Sequence, residues 1–143
     1  MARVEQQDLQ TALERWCDRQ GGKVDQIGRR KGAMLVEVDG LRSAVELVGS
    51  SSRATNRTIG FRAALMRVLS RLGENDSSAL GLAVPVMDAV GLADRRALMP
   101  TAWTRIAEAF PELSVWYVDH ESGEVTLVPW ADAGGKNDPI RNG

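Results

Sequence analysis

The dipeptide Asp39-Gly40 constrains this chain more than any other feature. It separates two stretches with strand character, Ala33–Val38 and Leu41–Val48. Asp-Gly between such runs is the strongest short-range signal for a two-residue hairpin, because both central residues need positive φ. That turn dictates the pairing. Val38 faces Leu41, Glu37 faces Arg42, Leu35 faces Ala44 and Ala33 faces Glu46; one step beyond, Lys31 lies across from Val48. Side chains alternate between the two faces of a sheet, so Met34, Val36, Val38, Leu41, Val45 and Leu47 form one apolar face. The other face holds Ala33, Leu35, Glu37, Arg42, Ala44, Glu46 and Val48. Glu37 and Arg42 are placed to form a cross-strand ion pair. Glu46 stands apart, because no base lies opposite it and its neighbours Ala44, Val45, Leu47 and Val48 read as core. A carboxylate in that setting must be paired, bind a metal, face a cleft or carry a proton.

The rest of the chain supplies the elements around this hairpin. Leu9, Ala12, Leu13 and Trp16 repeat at helical spacing, and Gly21-Gly22 ends that helix. A weaker strand is expected at Val24–Gly28. A second helix is expected from Arg57 to Leu72, stopping before Gly73. Leu80–Val86 is almost wholly apolar, the mark of a strand buried on both faces. The pattern assigns nothing to residues 87–99. Pro100 opens a helix that runs to Phe110, and Leu113–Asp119 with Glu124–Trp130 reads as a closing hairpin. Residues 1–130 therefore form a single domain, and the Gly-, Asn- and Asp-rich stretch Ala131–Gly143 is expected to be a disordered tail.

On the second helix, Arg53, Arg57, Arg67 and Arg71 fall within an arc of about 80° at ~100° per residue. Phe61, Leu65, Met66, Val68, Leu69 and Leu72 fill the opposite side, and Arg62 lies inside that apolar arc. An arginine on a buried face calls for a carboxylate, which makes Glu46–Arg62 the expected buried ion pair.

The charge distribution points the same way. The chain of 143 residues has a net charge of -1, with 43% apolar and 26% charged residues, so nothing in the total attracts nucleic acid or a membrane. The balance hides opposites: residues 41–73 carry six arginines against Glu46, and residues 74–143 carry five basic against eleven acidic groups. Ser51, Ser52, Arg53, Asn56 and Arg57 cluster at a helix N-terminus, where free N–H groups and the helix dipole favour anions. With Arg67 and Arg71 they outline a phosphate-binding track. The competing reading is a solvated loop with an N-cap and an arginine-rich exposed face. Cys17, the single cysteine, excludes an intramolecular disulfide and fits a cytoplasmic protein. No apolar run reaches the ~18 residues needed to span a bilayer, so no membrane partner is expected. His120 has no other ligand at zinc spacing and reads as a loop residue.

The order helix, strand meander, helix, apolar strand, helix, hairpin, with a carboxylate in Ala44-Val45-Glu46-Leu47-Val48, resembles the PD-(D/E)XK nuclease superfamily. The resemblance spans roughly residues 5–130. It implies an α/β (α+β) restriction-endonuclease-like core, a mixed central sheet flanked by helices in the order α-β-β-β-α-β-α-β-β. In that family, an Asp on the second strand and a Glu or Asp on the third hold Mg²⁺, and a Lys two residues later orients the attacking water. Glu46 matches the third-strand carboxylate. Gly32-Ala33 stands where Pro-Asp belongs, and Val48 stands where the Lys belongs. The resemblance thus implies a degenerate catalytic motif, with no cofactor unless a Mg²⁺-dependent activity survives. Lys31, across from Val48, is the one residue that could restore the ammonium; Asp25 or Glu14 would have to lend a carboxylate. Three roles follow: a pseudo-nuclease that binds DNA or RNA phosphate or a protein, a Mg²⁺-dependent endonuclease using Glu46 and Lys31, or an adaptor or homodimer without nucleic acid.

Overall fold

In the computed structural model, the described residues are 4–28, 32–49, 54–74 and 77–142, with backbone alone at 54–59, 141 and 142. Helix α1 spans Gln6–Arg19 and opens on a capping box in which the Glu5 N–H donates to Asp8 Oδ2 at 2.9 Å. It buries Leu9, Ala12, Leu13 and Cys17, the stripe its spacing predicts. Strands β1 (Lys23–Gln26), β2 (Ala33–Val38) and β3 (Leu41–Leu47) form an antiparallel meander. The β2–β3 register matches the expected one from Val38↔Leu41 to Ala33↔Glu46. Asp39 and Gly40 take φ of 53° and 79°, as a type I′ turn requires.

Helix α2 (Ala54–Leu69) carries the chain to β4 (Ala79–Pro85), which lies parallel to β3. The stretch 87–99, silent in sequence, holds the end of a 3-10 turn at Val86–Asp88 and the whole of helix α3, Ala89–Leu98. Helix α4 (Pro100–Ala109) leads into β5 (Leu113–Asp119), parallel to β4, and β6 (Glu124–Pro129) closes the sheet antiparallel to β5. The six strands lie in the order β1-β2-β3-β4-β5-β6. This is the mixed sheet between helices expected of a restriction-endonuclease-like core.

The two faces are covered unequally. Helix α1 packs Leu9, Leu13 and Cys17 against Met34, Val36, Val45, Leu47, Ala83 and Val118. On the other face, α2, α3 and α4 bring Phe61, Val68, Leu92 and Trp103 onto Leu80, Leu82, Val84, Val115 and Tyr117. β4 is covered on both sides, which explains why its sequence shows no polar alternation.

The segment 131–142, expected to be disordered, is packed. Trp130 stacks on Trp103 with ring centroids 3.8 Å apart, and each indole N–H donates to the other's carbonyl, at 2.8 and 3.1 Å. Arg96 Nη1 donates to the carbonyls of Ala131 (2.8 Å) and Ala133 (2.9 Å). Asp138 is fully buried and accepts hydrogen bonds from the Tyr117 hydroxyl, from Gly134 N (2.7 Å) and from Ile140 N (2.9 Å). Burial, then the hydrogen bond to this carboxylate, pushes the Tyr117 phenol far above its ordinary range. A short helix α5, Pro139–Asn142, ends the described chain. Composition misleads here because Gly and Asp, counted as solvated, serve as a positive-φ turn at Gly134 and a buried loop anchor.

Candidate functional site

Strand alternation turns Glu46 toward α2, and its side chain is 0% exposed. Its register neighbours are apolar, Ala33 on β2 and Leu82 on β4. Among the described residues two guanidinium groups meet it, one from α2 and one from the turn that follows it. Arg67 Nε lies 3.4 Å from Oε2 and Arg71 Nε 3.1 Å from Oε1. The side chain of Arg71 is 16% exposed and also reaches Glu74 at 3.5 Å, whereas that of Arg67 is 36% exposed. Each carboxylate oxygen is thus matched to a charged donor, an arrangement that offsets the desolvation of a buried ion.

The expected partner Arg62 is not among these residues. It is exposed, on the far border of the helix from Arg71. The buried stripe of α2 is Phe61, Ala64, Leu65 and Val68, and at ~100° per residue Arg67 and Arg71 flank it on the side of Ala64. Met66, at 68% exposure, and Leu72, at 43%, belong to the surface. Counting Met66 as core widened the apolar arc until it took in Arg62. The second expected pair is present: Arg42 Nη1 lies 3.5 Å from Glu37 Oε2 at the hairpin surface.

The remaining catalytic positions are apolar in space as in sequence. Ala33 is 0% exposed. Val48 packs against the core on the α2 side, and its N–H donates to Ala83 O at 2.8 Å. Asp25 is exposed on β1, with β2 between it and β3, and Glu14 is exposed on α1. Among the described residues no three His, Cys, Asp or Glu converge. Among the described residues, one carboxylate held by two guanidinium groups does not fit Mg²⁺, which takes oxygen donors. Lys31, Ser51, Ser52 and Arg53 lie outside the described residues, and Asn56 and Arg57 are described only as backbone of the first turn of α2.

Beside the Glu46 cluster lies a groove of about 450 Å³ between α1 and α2. Its floor is the carboxyl end of β3, Leu47-Val48-Gly49, and Arg67 borders it from α2. Gly49 lets α1 sit directly on that strand end, since a Cβ there would lie 2.9 Å from Gln6 N. Gln6 Nε2 then donates to Leu47 O at 3.0 Å, and Gln7 and Gln10 continue the wall. The groove offers amide donors and acceptors beside one guanidinium, Arg67, and one carboxylate, Glu5. The three glutamines carry no charge or motif, so sequence reasoning passes them over; Gly49, next to a predicted strand end, was the available sign of a close approach.

No helix among the described residues is long and apolar enough to cross a membrane. No family model and no curated protein matches the chain. Solved structures do match in fold. An XisH family protein from Nostoc punctiforme is similar over 85% of this chain and 98% of its own, at 15% identity and a TM-score of 0.56. An fdxN element excision controlling factor protein from Anabaena variabilis is similar over the same shares, at 17% identity and a TM-score of 0.56. The architecture those proteins share with this chain is a six-stranded mixed sheet with helices on both faces.

Proposed function

We propose that this chain is a non-catalytic, restriction-endonuclease-like domain that binds nucleic-acid phosphate along the groove between α1 and α2. The observation that carries this reading is the state of Glu46: buried, held by Arg67 and Arg71, with Ala33 opposite and Val48 following. A carboxylate engaged in this way has lost the partners that metal-assisted phosphodiester hydrolysis needs. Among the described residues two guanidinium groups face Glu46, Arg67 is partly exposed and lines the groove, and Arg57 lies three turns earlier on α2. Arg71 is given over to Glu46 and Glu74, so the phosphate track narrows to Arg53, Arg57 and Arg67, with Ser51, Ser52 and Asn56 at its start. A controlling rather than cutting role accords with the excision controlling factor among the fold neighbours.

Two measurements test the proposal. Salt-titrated binding to single-stranded and duplex DNA and to RNA should give a log–log slope that falls by about one for each phosphate contact removed, as in Arg53→Ala and Arg57→Ala. An unchanged slope in the double variant, or no binding at all, rejects the phosphate track and leaves a protein partner or a second copy as the ligand. Incubation of each nucleic acid with Mg²⁺ or Mn²⁺ should give no cleavage. Cleavage abolished by Glu46→Ala would establish instead the enzyme that uses Glu46 and Lys31.

A further inference from the structure

The sheet face under α1 contains a second recess, away from Glu46. Helix α1 covers only part of that face. Beside it an apolar recess of about 280 Å³ is lined by Trp16, Val36, Val38, Leu41, Trp116 and Leu127. The two indoles meet edge to face, with centroids 5.8 Å apart and planes at 70°. Trp116 leans over β4 because Gly81 has no side chain: a Cβ there would lie 2.6 Å from Trp116 Nε1.

Three polar residues interrupt these walls, Gln20, Asp39 and Ser43. Ser43 lines the recess, is 3% exposed, and its hydroxyl makes no hydrogen bond among the described residues. The Trp116 indole N–H, in a residue that is also 3% exposed, donates to no acceptor among them either. This contrasts with Trp103 and Trp130, whose N–H groups are both bonded to carbonyls. Exposed apolar side chains lie at the same place: Leu41 is 48% and Leu127 43% exposed. Asp39 stands at the mouth and disfavours an anion.

We propose that this recess is a binding site for a small, uncharged aromatic molecule with one hydrogen-bonding substituent, a phenol or a close analogue. The ring would lie against Trp16 and Trp116 between Leu41 and Leu127. Its polar tip would reach the Ser43 hydroxyl. The volume falls just below the range of about 300–1,000 Å³ found for drug-sized ligands, which suits one or two rings. The site is independent of the phosphate reading, since it draws on none of the same residues.

The test is a titration of the ¹⁵N-labelled protein with p-cresol, toluene and 4-methylbenzoate, followed at the four indole N–H resonances. p-Cresol should shift those of Trp16 and Trp116 and leave Trp103 and Trp130 in place. Toluene, without the hydroxyl, should bind several-fold more weakly, and 4-methylbenzoate more weakly than p-cresol. Ser43→Ala, which keeps the backbone and apolar walls, should weaken p-cresol about five-fold, the effect of one lost hydrogen bond, and leave toluene unchanged. Leu127→Glu should abolish binding of both. Absence of shifts at Trp16 and Trp116, equal affinity for p-cresol and toluene, tighter binding of the carboxylate, or an unaffected Ser43→Ala variant would each overturn the assignment.

Discussion

Glu46 and Asp138 are both fully buried carboxylates, yet they are held by different chemistry. Glu46 sits in a regular strand, where the backbone N–H groups serve the sheet, and its charge is met by guanidinium groups from α2 and the turn that follows it. Asp138 sits in an irregular segment, where the backbone groups of Gly134 and Ile140 and the Tyr117 hydroxyl supply its hydrogen bonds. A loop can shape itself around an anion with neutral donors; a strand cannot, and must import cations from a neighbouring element. That importation separates Glu46 from a metal ligand.

The comparison can be broken most sharply at Glu46. Glu46→Ala leaves two guanidinium groups facing a partly buried void and should destabilise the fold by about 3–5 kcal/mol in urea unfolding. The combined Glu46→Leu, Arg67→Met and Arg71→Met variant removes all three charges and should recover most or all of that loss. If the single variant were neutral, the cluster would not be holding α2 on the sheet. Asp138→Ala should cost less, about 2–3 kcal/mol, because its donors among the described residues are neutral; the near-UV circular dichroism of the Trp103–Trp130 stack should weaken with it.

Tyr117→Phe sharpens the same contrast through pH. The folded state holds the phenol protonated, so its contribution is fully present below the unfolded value of about 10 and is lost as pH rises through the higher folded value. Thermal melts of the wild type should therefore fall off steeply on the alkaline side, and those of Tyr117→Phe less so. An identical alkaline limb in both proteins would remove Tyr117 from the account. The smallest effect is expected at Arg62. Arg62→Ala should change stability by no more than about 0.5 kcal/mol, against several for Arg71→Ala, whose guanidinium is bonded to Glu46.

Much of the fold was legible because its signals are local. Asp39-Gly40 specifies a turn, the turn specifies a register, and the register placed Ala33 opposite Glu46 as observed. The spacing of Leu9, Ala12, Leu13 and Trp16 defined α1, and the apolar run after Ser78 defined β4. Legibility ended where an outcome depended on packing between distant segments. Residues 131–142 read as solvated because nothing local announces that Trp130 will stack on Trp103 or that Asp138 will be enclosed.

The site divides along the same line. Local sequence determined that Glu46 would be a carboxylate inside a core strand, with Ala33 opposite and Val48 two residues on, and that arginines would crowd the following helix. Which arginines reach Glu46 was a tertiary decision. It depends on how α2 rotates about its axis as it docks, and that rotation is set by Phe61, Ala64, Leu65 and Val68 together, since the face burying the most apolar area turns inward. A helical wheel includes every apolar residue on its arc, whereas the packed helix left Met66 outside and ended before Leu72. Those few tens of degrees bring Arg67 and Arg71, rather than Arg62, to the buried carboxylate.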